Sequence, residues 1–210
     1  MGLTGAGHVA QRLAGPSVGL ALSGLAGGFA SSAATIAAMG ARAKEEPGAH
    51  AGAVAGACAS TVATFVQLGL LVALADLPLI EPLAAPLAVG GIAAAAYSIA
   101  RARTAARAEG PAVVSGRAFA IGPALLFSAL VGAVGLLTAF AQERFGSLAV
   151  PVTSAIAGFA DAHATAGSAA SLHAAGRVTE ATAIWAILAA FSTNTVTKAV
   201  LAFTSGTRRF

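Results

Sequence analysis

Apolar stretches of more than twenty residues recur along this chain, separated by short charged or proline-containing turns. Six are read, at 17–41, 51–75, 79–100, 118–142, 148–173 and 179–205. At about 1.5 Å per helical residue, each can cross the roughly 30 Å hydrocarbon core of a bilayer. Only 10% of the residues are charged, against about 25% in a soluble domain. The apolar content is mostly Ala, Leu, Val and Gly, with 6% aromatics. Small residues let helix backbones approach closely. A membrane barrel would instead alternate over short segments and carry aromatic girdles. The reading is an all-α, polytopic transmembrane bundle forming one domain over residues 1–210. Pro82 and Pro86 fall early in the third segment and predict a kinked or unwound start.

The formal net charge is +4. The basic residues sit in the turns, where they act as topology determinants and headgroup contacts, so a nucleic-acid partner is not expected. If all six segments cross, Arg42, Lys44, Arg101, Arg103, Arg107, Arg117 and Arg177 share one side. Arg12, Arg144, Arg208 and Arg209 share the other. The positive-inside rule puts the first group in the cytoplasm. Cys58, alone of its kind, lies in an apolar run and reads as a packing residue. The first sixteen residues lack the apolar core of a signal peptide. No nucleotide loop, zinc motif or nucleophile–base pair is present. Neither an enzyme nor a resident cofactor is expected. Asp76 and Glu81 flank a proline-rich turn and read as solvated, His173 and Trp185 as interfacial.

The stretch "IAGFADAHATAGSAASLHAAG", Ile156 to Gly176, which overlaps the fifth segment, places Asp161 and His163 near its middle. It aligns with the first: Gly28–Phe29–Ala30 matches Gly158–Phe159–Ala160, and Thr35 matches Thr165, at an offset of 130. "TVATFVQ" against "STNTVTK" extends the match, setting Gln67 opposite Lys198 at an offset of 131. Hairpins 17–75 and 148–205 therefore read as an internal repeat. Repeats with broken, polar helices are one way transporters build a midplane site.

Asp161 lies sixteen residues before Arg177, and Asn194 seventeen after it. Both fall roughly 25 Å from the turn of an antiparallel hairpin. Lys198 is one turn beyond Asn194 and can reach back towards Asp161. The candidate site is Asp161, His163, Thr165, Asn194 and Lys198, with Ser31, Ser32, Thr35 and Gln67 as its neutral counterpart. Two readings stand. In one, Asp161 and Lys198 form a buried ion pair that fixes helix register. In the other, intramembrane ionisable groups mark an ion or polar-solute site. Asp161, Thr165 and Asn194 offer hard oxygens, which suit Mg²⁺ or another cation, with Asp161 and Asn194 as metal ligands. His163 adds transition metals or a proton relay. It stands about 200° from Asp161 on a continuous helix, so the two share a site only if the helix breaks there. The Lys198 ammonium opposes a simple cation site and can neutralise Asp161 or attract an anion.

"GLAGGFASSAATIAAMGARAKEEP", "GRAFAIGPALLFSAL", "AIAGFADAHATAGSAASL" and "AAFSTNTVTKAVLAF" together resemble one bacterial membrane domain of unknown function, the DUF4010 family. It is usually found behind an MgtC/SapB-type domain. The resemblance runs from about Gly19 to Gly206, and its most specific positions are Gly158, Asp161, Thr165, Asn194 and Lys198. Gln67 stands where the resemblance leads us to expect a basic residue. The resemblance implies a multi-pass protein of the bacterial inner membrane and no established activity. The expected partners are the lipid bilayer, a transported cation or polar solute, further copies of the chain in a homo-oligomer, and an MgtC/SapB-type domain on another chain. The main functional expectation is a transporter or channel-like protein. The alternative is a regulatory or structural membrane protein whose polar residues pack helices.

Overall fold

The computed structural model describes residues 16–108, 144 and 150–210. Among these residues the regular structure is helical, with no strand. Six α-helices follow in order: α1 (Pro16–Glu45), α2 (His50–Ala75), α3 (Ile80–Ala108), α4 (Val150–Gly158), α5 (Ala162–Ala174) and α6 (Glu180–Ser205). Four helical stretches are long and apolar enough to cross a membrane: Val18–Glu45, Pro47–Ala75, Leu77–Ala106 and Glu180–Ser205. They coincide with the first, second, third and sixth apolar segments. Large apolar side chains lie exposed on them, among them Leu74, Ile92, Trp185 and Phe203. In water that exposure would be unfavourable, whereas lipid accepts it. The protein is a helical membrane protein.

The fourth segment, 118–142, lies outside the described residues, as do Arg12, Arg117 and the first fifteen positions. The fifth is not one helix. It divides into α4, of nine residues, and α5, of thirteen. Neither alone has the roughly twenty residues a span needs. A 3-10 turn at Leu77–Leu79 precedes α3, which then runs on through Pro86. The polar stretch expected to be a loop from Arg101 is helical as far as Ala108.

The chain divides into two compact units. The first contains residues up to Val66, Ala88–Phe119 and Lys198–Phe210; the second contains Gln67–Leu87 and Ala120–Thr197. In the first, α1 meets α2 through glycine. A methyl group on Gly24 would come within 2.0 Å of the Gly56 carbonyl oxygen, and one on Gly28 within 2.6 Å of the Ser60 Cα. Only residues without a side chain allow that approach, so the GxxxG of α1 is a packing motif. In the second unit, alanines on one face of α5 (Ala162, Ala166, Ala169, Ala170) form a core with Ala183, Ala186, Ile187 and Ala190 of α6. Their spacing of three and four residues is that of a single helical face.

Candidate functional site

The second unit holds a helix break. α4 ends at Gly158, and a turn follows in which Ala160 and Asp161 both donate their backbone N–H to the Ala157 carbonyl, at 3.0 Å each. Asp161 is extended (φ −153°, ψ 114°), and its side chain caps α5. Oδ1 accepts the His163 backbone N–H at 2.8 Å, and Oδ2 accepts that of Ala164 at 3.4 Å. A carboxylate here satisfies amides the broken helix leaves open and complements its positive end. Thr165 Oγ1 donates to the Asp161 carbonyl at 2.7 Å.

Because the helix breaks, His163 reaches Asp161 after all. Its Nδ1 lies 3.1 Å from Asp161 Oδ1. When Nδ1 carries the proton and donates it to Oδ1, the uncharged ring keeps a lone pair on Nε2. That Nε2 is buried and has no hydrogen-bond partner among the described residues.

Asn194 belongs to the same unit. On α6, Ala190 and Thr193 lie against Gly158: a methyl group on Gly158 would come 2.4 Å from the Ala190 Cα and 2.4 Å from Thr193 Oγ1. Thr197 Oγ1 donates to the Phe159 carbonyl at 2.9 Å. At about 100° per residue, Asn194 falls within roughly 60° of Ala190 and Thr197. It therefore lies on the face of α6 that meets the break. It is 5% exposed, and its Oδ1 has no partner among the described residues. A buried, unpaired acceptor costs about 1–3 kcal/mol and calls for an explanation.

The first unit holds a second break. α1 contains a non-helical residue, Ser31 (φ −166°, ψ 106°). Ser31 Oγ accepts the Ala34 N–H at 3.3 Å, and Thr35 Oγ1 donates to the Ser31 carbonyl at 2.8 Å. Ser32 beside it is buried. Lys198, also buried, donates from Nζ to Thr64 Oγ1 at 2.7 Å. The sequence offered Lys198 as the counter-ion of Asp161; the partners found here are Thr64 for the ammonium and His163 for the carboxylate. Gln67 is half-buried. No group of three His, Cys, Asp or Glu side chains that could hold a metal occurs among the described residues.

Sequence reasoning missed a long-range ionisable pair. Asp76, expected to be solvated, is buried, and its Oδ2 pairs with Nδ1 of His173. The two are 97 positions apart, and no local pattern joins them. Glu81, expected to be solvated, is exposed, as is Trp185.

Over residues 1–206 the chain matches the family described as domain of unknown function DUF4010. It belongs to that family. No curated protein and no solved structure matches it. The family carries no assigned activity, so the chemistry of the two breaks must speak for itself.

Proposed function

We propose that this DUF4010 protein carries a small cation or polar solute across, or into, the membrane. The site would be the α4–α5 break, with Asn194 and His163 as ligands and Asp161 as the group that orients them. One observation carries the reading: Asn194 Oδ1 is buried without a partner on the helix face that meets a break in a segment of spanning length. Backbone broken at membrane depth is tolerated where protein or a water-filled cavity satisfies it. Broken helices also supply the ion and solute sites of many transporters. The bacterial inner membrane and a homo-oligomer belong to this reading. So does an MgtC/SapB-type domain as a membrane partner, which the family resemblance suggests.

The test is flux into proteoliposomes over a panel of monovalent and divalent cations and small polar solutes. Asn194→Ala and Asp161→Ala should lower flux of the moved species at least about tenfold, matching the loss of a hydrogen bond to a charged group. Folded variants that move every solute as the wild type does would remove the site. A second reading, in which the polar residues only hold helices together, is favoured in the first unit by the Lys198–Thr64 contact. It describes that unit well and leaves the unpaired Asn194 unexplained.

A further inference from the structure

The two units place the same local geometry 130 positions apart. Gly28 packs on Ser60 and Ala63, and Gly158 on Ala190 and Thr193. Ser31 and Asp161 are both extended, and Thr35 and Thr165 both donate to the carbonyl four residues back. This packing corrects the register read from sequence. Thr64, not Ala63, corresponds to Asn194, and Leu68, not Gln67, corresponds to Lys198. In the first unit, a lysine ammonium is therefore tethered on the Thr64 hydroxyl. In the second, Asn194 stands where Thr64 stands, and Leu68 stands where the lysine would be. Leu68 is fully buried in the core that includes Ala190, one turn from Asn194. A leucine supplies no donor, and the Asn194 oxygen is left open.

We infer that the second unit binds a small ammonium-type cation from outside the chain, at the place equivalent to that of the Lys198 ammonium. The inference rests on the reading of Asn194 as a ligand site and names its ligand class. The open acceptors are the Asn194 amide oxygen and, when Nδ1 carries the proton, the lone pair of His163 Nε2. An ammonium head group offers donors and no acceptor, so it matches them. The carbonyl end of α4 adds partial negative charge. Charge count argues for a monovalent ligand. One carboxylate is at hand, its oxygens already accept two backbone amides and the imidazole, and Lys198, one turn from Asn194 on α6, is itself cationic, so a second positive charge on the ligand would be opposed. Divalent ions of the Ca²⁺ and Mg²⁺ type are held by hard oxygens, several of them carboxylate, or by retained water.

The experiment measures thermal unfolding of the purified full-length protein in ammonium, potassium, sodium and magnesium chlorides at matched ionic strength. Methylammonium flux in proteoliposomes runs beside it. A ligand that binds only the folded state raises the midpoint with concentration. Ammonium should do so more than the other salts, and Asn194→Leu should weaken that response about tenfold or more. Asn194→Leu exchanges an unpaired buried group for an apolar one of similar size, so the variant is expected to fold. Leu68→Lys, which tethers an ammonium in the second unit, should also abolish the response. The inference falls if potassium or magnesium stabilises as strongly as ammonium, if no salt does, or if Asn194→Leu responds like the wild type. The two proposals separate cleanly. An Asn194-dependent ammonium response without flux of any solute removes the transport reading and leaves the binding site. Asn194-dependent flux of another ion, without ammonium preference, removes the ammonium site and leaves transport.

Discussion

Two helix breaks, one at Ser31 and one at Asp161, are built from the same parts and differ in what they leave open. Each has a glycine three residues earlier, packed directly on the backbone of another helix, α2 for Gly28 and α6 for Gly158. Each has an extended capping residue, and a threonine four residues later that bonds back to its carbonyl. The neutral break caps its second half with one hydroxyl at 3.3 Å. The charged break uses a carboxylate that takes two amides and an imidazole. In the unit with the neutral break, the buried polar residues include the bonded pair Lys198 and Thr64. In the unit with the charged break, Asn194 and His163 each keep one buried atom unpaired. A shared scaffold can thus serve as a closed joint in one place and a receptive one in another. The difference lies in a handful of side chains rather than in the backbone.

The sharpest way to break the comparison is through its glycines. Gly158→Ala drives a methyl into the Ala190 backbone and should cost about 3 kcal/mol of stability, at the upper end for overpacking. Gly28→Ala, with a slightly wider gap, should cost less. Chemical unfolding in detergent would rank them, and equal, negligible costs would mean that the close approach is not real. Next comes the closed pair. Thr64→Val removes the hydroxyl that accepts from the buried Lys198 ammonium and should cost about 2 kcal/mol. Asn194→Leu in the receptive unit should cost nothing or stabilise, while abolishing flux. A destabilised Asn194→Leu protein with intact flux would reverse the assignment of the two units.

Capping gives a smaller contrast. Asp161→Ala should cost about 1–2 kcal/mol and Ser31→Ala about 0.5–1 kcal/mol, as the unequal hydrogen bonds imply. Asp161→Asn should keep most of the cap and lose the grip on the His163 proton. Nitrogen NMR of the labelled imidazole would detect the change of tautomer. Smallest of all, Gly167→Ala inside α5 meets nothing within 4 Å among the described residues. It should stabilise by about 0.5–1 kcal/mol through helix propensity alone. A loss there would point to a contact on α5 that this structure lacks.

The membrane class was legible because apolar length and scarcity of charge are properties of sequence. Four of the spans were too, since a long helix in lipid needs little beyond apolar residues. The break was half legible. It was legible only as a condition: on a continuous helix periodicity puts His163 on the opposite side from Asp161, and the two share a site only where the helix breaks. Only the extended backbone at Asp161 brings them together. Pairing was the least legible level. Asp161 and Lys198 stood at similar depth, and opposite charge made them natural partners. Depth fixes one coordinate out of three, and Thr64 and His163 are the partners that packing supplies. Asp76 and His173 illustrate the same limit, because nothing local encodes a contact 97 positions away.

The glycine at 158 has a thermodynamic consequence apart from fit. Where Gly158 lies against the Ala190 main chain, no side chain is frozen to make the contact. The gain in dispersion comes without rotamer entropy to offset it. A gap in a helix's hydrogen-bond ladder would ordinarily be its natural hinge. Here that point is clamped by main chain against main chain, so the opening in the ladder is held stiff. On the proposed reading, Asn194 and His163 are thereby set in place before anything binds, and little ordering would be left for a ligand to impose.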